Sequence, residues 1–133
     1  MRATSLTGGA WATLYGTDDE RVSRLLELVF TAMPEDQRPA CKLLRVWIEE
    51  LLPASPGKWA QALSTGQITI VPRALQLTDA AFAQLLAHEV AHVSISGEGG
   101  DIGDEGLASA KAQSWGFGNQ LLKTECDALN VTP

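Results

Sequence analysis

The sequence predicts a single α+β domain, and three observations carry that prediction. Two long stretches repeat apolar residues at helical spacing, two short ones are rich in β-branched and aromatic types, and prolines and glycines mark the joins. At 133 residues, with 45% hydrophobic and 20% charged types, the chain can bury one core. No self-similar period points to a repeat array.

Thr17-Asp18-Asp19-Glu20 opens the first helix, a capping hydroxyl followed by acids suited to the positive end of the dipole. Val22, Leu25, Leu26, Val29 and Phe30 then recur on one face, and Pro34 stops the helix at Met33. Pro39 closes a polar link, after which residues 43–49 read as a strand with imperfect alternation. Residues 52–57, with Pro53, Pro56 and Gly57, read as a turn. A short second strand fits 58–63 and a stronger one 67–71, where the following Pro72 predicts a place at the sheet edge. Thr78-Asp79 caps a long helix over 80–95 that is apolar nearly all round, through Phe82, Leu85, Leu86, Val90, Val93 and Ile95. Such a helix is expected to be central and buried. Residues 97–106 hold five glycines and four acids, a stretch able to turn the chain back sharply. A helix over 107–115 stops at Gly116, and one more fits 119–129. Residues 1–15 are Thr, Ser and Gly with scattered apolar types, and we assign no element there.

Ten Lys and Arg stand against 16 Asp and Glu, for a net charge of −6. Without a basic cluster there is no electrostatic footprint for a phosphate backbone, so no nucleic-acid partner is expected. The first 15 residues lack the unbroken apolar stretch of a secretory signal, and no hydrophobic run approaches a membrane span. Cys41 and Cys126 are far apart and form no CxxC pair, which reads as two reduced thiols in a cytoplasmic protein.

The two histidines decide the functional reading. His88-Glu89-Val90-Ala91-His92 is an HExxH pattern. Residues four apart on a helix point the same way, one turn apart, so both imidazoles can reach one tetrahedral zinc with Glu89 beside them to hold a water. A shuffled chain of this composition meets the pattern about once in a thousand, which sets its false-positive risk. The competing reading is a surface helix with two solvated histidines, and the apolar neighbours argue against it, because buried polar groups are costly without compensation. A catalytic zinc needs three protein ligands and a water, and no third histidine exists, so every three-histidine site is excluded. The remaining ligand is then a carboxylate or a cysteine, with Glu98, Asp101, Asp104 and Glu105 downstream and Cys126 and Asp127 further off.

The run Gln67-Ile68-Thr69-Ile70-Val71-Pro72-Arg73-Ala74-Leu75, then Thr78-Asp79, then Leu85-Leu86-Ala87 leading into His88–His92, resembles the core of gluzincin metallopeptidases. In that family an edge strand precedes the HExxH helix, and a later glutamate helix supplies the third ligand. Residues 105–112 followed by Gly116 are similar to the family pattern ExxADxxA…G. They match at Glu105, Ala108, Ala112 and Gly116 and depart at Ser109, where an Asp is common. That Asp usually supports a histidine ligand, so here the role is unassigned or falls to another carboxylate. The gap from His92 to Glu105 is also short for the family. The resemblance covers about residues 22–116 if the first helix is the family's backing helix. It implies a small zincin-like fold: a backing helix, a short, mostly antiparallel sheet, the HExxH helix and a glutamate helix. It also implies one domain over 1–133, with a core at about 18–117 and a C-terminal helix or tail at 118–133. At this length the likeness is to the minimal, single-domain minigluzincins, found among bacteria and their phages.

The activity implied is zinc-dependent hydrolysis of a peptide or protein substrate, with Glu89 as general base. For the third ligand Glu105 is favoured over Asp101 and Asp104, because it starts a helix and has the longer reach. Glu98 lies too near His92 to swing round. An oxyanion-stabilising Tyr or His is usual in such enzymes, whereas here Tyr15 and Arg73 are the side chains considered, with backbone or nothing as the alternatives. Trp47, Trp59 and Trp115 read as core rather than as a substrate platform. A rival reading is a regulatory zincin domain that binds a protein such as a repressor with little or no proteolysis. A latent enzyme, its cleft crossed by residues 119–133 and blocked by Cys126, is the third.

Overall fold

The computed structural model describes residues 2–16, 19–38, 43–48, 60–62 and 66–128. Thr17, Asp18, Pro39, Cys41, the turn at 52–57 and Trp59 lie outside them. The described residues form an α+β fold, a five-stranded sheet with helices packed on it.

The strands are β1 (Arg2–Leu6), β2 (Ala10–Tyr15), β3 (Leu43–Ile48), β4 (Ala60–Ala62) and β5 (Gln67–Ile70), in the spatial order β1-β2-β3-β5-β4. The hairpin β1–β2 and the pair β4–β5 are antiparallel, while β2–β3 and β3–β5 are parallel. The sheet is therefore mixed, which corrects the expectation of a mostly antiparallel one. The physical reason is the connection from β2 to β3, which runs through helix α1 (Asp19–Ala32) and returns the chain in the same direction. A second correction concerns β5, expected at the edge but flanked by β3 and β4. Pro72 lies beyond the last strand residue, at the start of a 3-10 turn (Pro72–Gln76), so its missing N–H takes no place in the ladder. Among the described residues the outer strand on that side is β4.

Strands β1 and β2 were not expected. In β2 the inward residues are Ala10, Ala12 and Leu14, while Trp11, Thr13 and Tyr15 turn outward. Two of the three inward side chains are alanines, so the alternation carries little hydrophobic contrast. The core reaches beyond residues 18–117 at both ends, through Leu6, Ala10, Ala12 and Leu14 on one side and Leu122 and Cys126 on the other.

Helix α1 buries Val22, Leu25, Leu26, Val29 and Phe30, the face its spacing predicts. Helix α2 (Asp79–Gly97) is capped by Thr78, whose hydroxyl accepts from Ala81 N at 3.4 Å, and it buries Phe82, Leu85, Leu86 and Val90. Arg21 of α1 fastens its start. Arg21 donates to Asp79 Oδ1 at 2.7 Å and to the carbonyls of Leu75 and Leu77 at 2.8 and 2.5 Å. Helix α2 ends at Gly97 with Glu98 as its cap, and the chain leaves through Gly99, whose φ of 89° is open to glycine at little cost. Gly100 N then donates to Ile95 O at 2.8 Å and Gly99 N to Ser96 O at 3.1 Å, a Schellman stop that turns the chain back. Helix α3 (Glu105–Ser114) runs beside α2, and α4 (Gln120–Ala128) buries Leu122 and Cys126 against the rest. Among the described residues no helix is long and apolar enough to cross a membrane.

Candidate metal centre

His88 and His92 lie one turn apart on α2, their rings edge to face with centroids 4.7 Å apart. The stop at Gly99 and the turn that follows bring the first residue of α3 back over them. Glu105 Oε2 lies 2.8 Å from His88 Nε2, and Glu105 Oε1 lies 3.3 Å from His92 Nε2. The two Nε2 atoms are 3.1 Å apart. One ligand atom from each of the three residues falls within 4.8 Å of the others, so the group can hold a metal ion.

The donor set fits a tetrahedral zinc. Bonds of about 2.0–2.1 Å to N and O put neighbouring ligand atoms roughly 3.3 Å apart in a tetrahedron. The two Nε2 atoms, 3.1 Å apart, are close to that edge, and Glu105 brings one oxygen to 2.8 Å from His88 Nε2 and the other to 3.3 Å from His92 Nε2. His92 is also held in the tautomer a ligand needs. Its Nδ1 donates to the carbonyl of Ile102 at 2.5 Å, which leaves the Nε2 lone pair directed at the group. That support comes from a backbone carbonyl of the glycine-rich turn, and Ser109 lines the cleft.

The other carboxylates named as ligand candidates have separate tasks. Glu98 accepts from Lys111 Nζ at 3.1 Å through both oxygens and from Ser94 at 3.2 Å. Asp101 accepts from Gly103 N at 2.9 Å, and Asp104 caps α3 by accepting from Leu107 N at 2.9 Å. Asp127 is exposed on α4 and is no part of the group. Cys126 is fully buried and likewise outside it, so the blocking-ligand expectation is not met. Burial pushes its thiol above the ordinary value, and Asp127 and Glu125 add to the effect.

The group opens on a cleft of about 450 Å³. One wall is strand β4, Ala60 to Ala62; another is α2, with Leu85 and Glu89; the third is α4, with Leu122 and Lys123, and Asn119 just before it. Glu89 is 5% exposed and shares the cleft with both histidines. Neither Tyr15 nor Arg73 lines it. Tyr15 stacks on Trp47 at 3.9 Å across β2 and β3, and Arg73 is exposed on the 3-10 turn. Trp115 is core, as expected, with its Nε1 donating to Gln37 at 2.7 Å. Sequence reasoning missed the Ile102 carbonyl, because a backbone group leaves no mark in the sequence. A cleft reached by residues 119–133 was among its readings, and α4 does form one wall.

Comparison of the chain with protein-family models, curated proteins and solved structures finds no match. The likeness to gluzincins therefore rests on the motif residues alone.

Proposed function

We propose that this chain is a zinc-dependent metallopeptidase of the gluzincin type, in a minimal single-domain form. The observation that carries the reading is the meeting of His88, His92 and Glu105 around one point in the cleft that Glu89 also lines. His88 Nε2, His92 Nε2 and a Glu105 oxygen would hold the ion. Zinc bound there supplies a Lewis acid and lowers the pKa of its water towards about 7. Glu89 takes the proton of the attacking water on its carboxylate and passes it to the leaving amine. Burial of Glu89 in an otherwise apolar helix suits a base that must be held and kept from bulk water. An extended peptide can lie along β4, main chain to main chain, with its scissile carbonyl over the group. The reduced thiol at Cys126 is consistent with a cytoplasmic setting.

The test combines zinc content of the purified chain with hydrolysis of a mixed peptide library by wild type and Glu89→Gln. One zinc per chain in both, with cleavage by wild type only, is the expected result. Equal cleavage by the two proteins would remove Glu89 as base.

A second reading, a regulatory or latent zincin domain, draws support from a specific observation. Neither Tyr15 nor Arg73 reaches the cleft, and α4 of this same chain forms one of its walls. One zinc per chain with no cleavage by wild type would favour it.

A further inference from the structure

Among the described residues lining the cleft, Lys123 is the one Lys or Arg. Its Nζ has no hydrogen bond or ion pair with the described residues, whereas Lys111 is held by both oxygens of Glu98. The backbone that carries Lys123 is tied down on either side. Leu122 N donates to Gln84 Oε1 at 2.9 Å, and Glu125 accepts from Thr78 N at 2.9 Å and from its hydroxyl at 2.5 Å. Leu122 and Cys126 are buried beneath the same helix. The ammonium is thus presented from a fixed wall rather than from a loose tail.

Asn119 lies one turn before Lys123, and it also lines the cleft. An amide and an ammonium at this spacing are donors that suit a group with two acceptor oxygens. The chain's net charge of −6 repels acidic ligands at long range, so a cation on this one wall acts as a local filter.

Resting on the peptidase reading above, we propose that Lys123, with Asn119 beside it, binds a carboxylate of the substrate and makes the cleft selective for acidic peptides. That carboxylate comes either from a free peptide C-terminus or from an Asp or Glu side chain. The chemistry is the same, and the test separates the sources.

Binding is read apart from turnover, by calorimetry on zinc-loaded Glu89→Gln protein. The probes are acetyl-tetra-alanine as free acid and as amide, and acetyl-Ala-Glu-Ala-Ala-amide against its Gln counterpart. A carboxylate probe is expected to bind about fivefold tighter than its neutral partner, the upper range for a solvent-exposed ion pair. The pair that shows the difference identifies the source. Adding Lys123→Met abolishes the difference, Lys123→Arg preserves it, and Asn119→Ala narrows it. Lys123 is exposed, so these changes leave the core intact. Equal binding of acid and neutral probes overturns the proposal. So does a difference that survives Lys123→Met, which would place the carboxylate on the metal. Hydrolysis by wild type without an acid preference would keep the peptidase reading and sink this one. Acid-selective binding through Lys123 with no hydrolysis would do the reverse.

Discussion

Glu105 differs from its neighbours in what its carboxylate touches. Asp101 and Asp104 spend their oxygens on the backbone of the turn, and Glu98 is engaged by Lys111, while Glu105 reaches both imidazoles. Two measurements separate these roles. Glu105→Ala is expected to weaken zinc affinity by well over tenfold, more than loss of an outer-shell partner at the low end of its range. Asp104→Ala should leave zinc affinity nearly unchanged but lower stability by about 1 kcal/mol, the usual value of a helix N-cap. A damaging Asp104→Ala in the zinc titration would move the third ligand by one residue. His92→Ala is expected to abolish stoichiometric zinc, and full occupancy in that variant would refute the site.

At the scale of elements, α2 is positioned by its two ends. At its start, hydrogen bonds from Arg21 and then Arg24 hold the Asp79 carboxyl below its ordinary value of 3.8. A carboxyl with a lowered folded pKa gives stability that is present above the unfolded value and lost as pH falls through the folded one. Acid unfolding should therefore show a component beginning just below pH 4 that Asp79→Asn removes. An unchanged acid limb in that variant would show that the Arg21–Asp79 contact is not coupled to folding. At the other end, Gly99→Ala places a Cβ at φ 89°, and no atom lies within 4 Å of it. The cost is then backbone strain alone, about 1–2 kcal/mol by thermal or denaturant unfolding. Because this stop aims α3, zinc affinity should fall with it, more than in a matched surface variant of equal stability loss.

For the molecule as a whole, an ion held by His88, His92 and Glu105 would join α2 to α3, which also pack against each other directly. An ion that binds only the folded chain stabilises it by mass action, about 2.7 kcal/mol at a free concentration one hundred times Kd. Zinc is expected to raise the Tm, a chelator to reverse the rise, and Glu105→Ala to remove most of it. No zinc-dependent shift in wild type would count against a centre built from α2 and α3. Phe82→Ala, deep in the core, should cost about 3–5 kcal/mol with or without metal, which distinguishes packing from metal linkage.

The sequence by itself determined the α+β class, the buried α2 helix, the face of α1 and the pairing of His88 with His92. Each of these follows from local periodicity, which a 3.6-residue helix converts directly into a shared face. For a metal held by these two histidines, the histidine count also narrowed the candidates for a third ligand to a few acids and Cys126. The tertiary structure alone decided three other matters. Whether strands run parallel depends on where the chain goes between them, and β2 hid behind inward alanines. The support of His92 comes from the carbonyl of Ile102, which any residue type could offer. A cleft crossed by residues 119–133 was one of the sequence readings, but how α4 meets it was decided by packing: Leu122 and Cys126 are buried, α4 packs on α2, and Lys123 is carried to the wall with them. Contacts between residues far apart in sequence have no local signature, since burial forms them only when the elements pack.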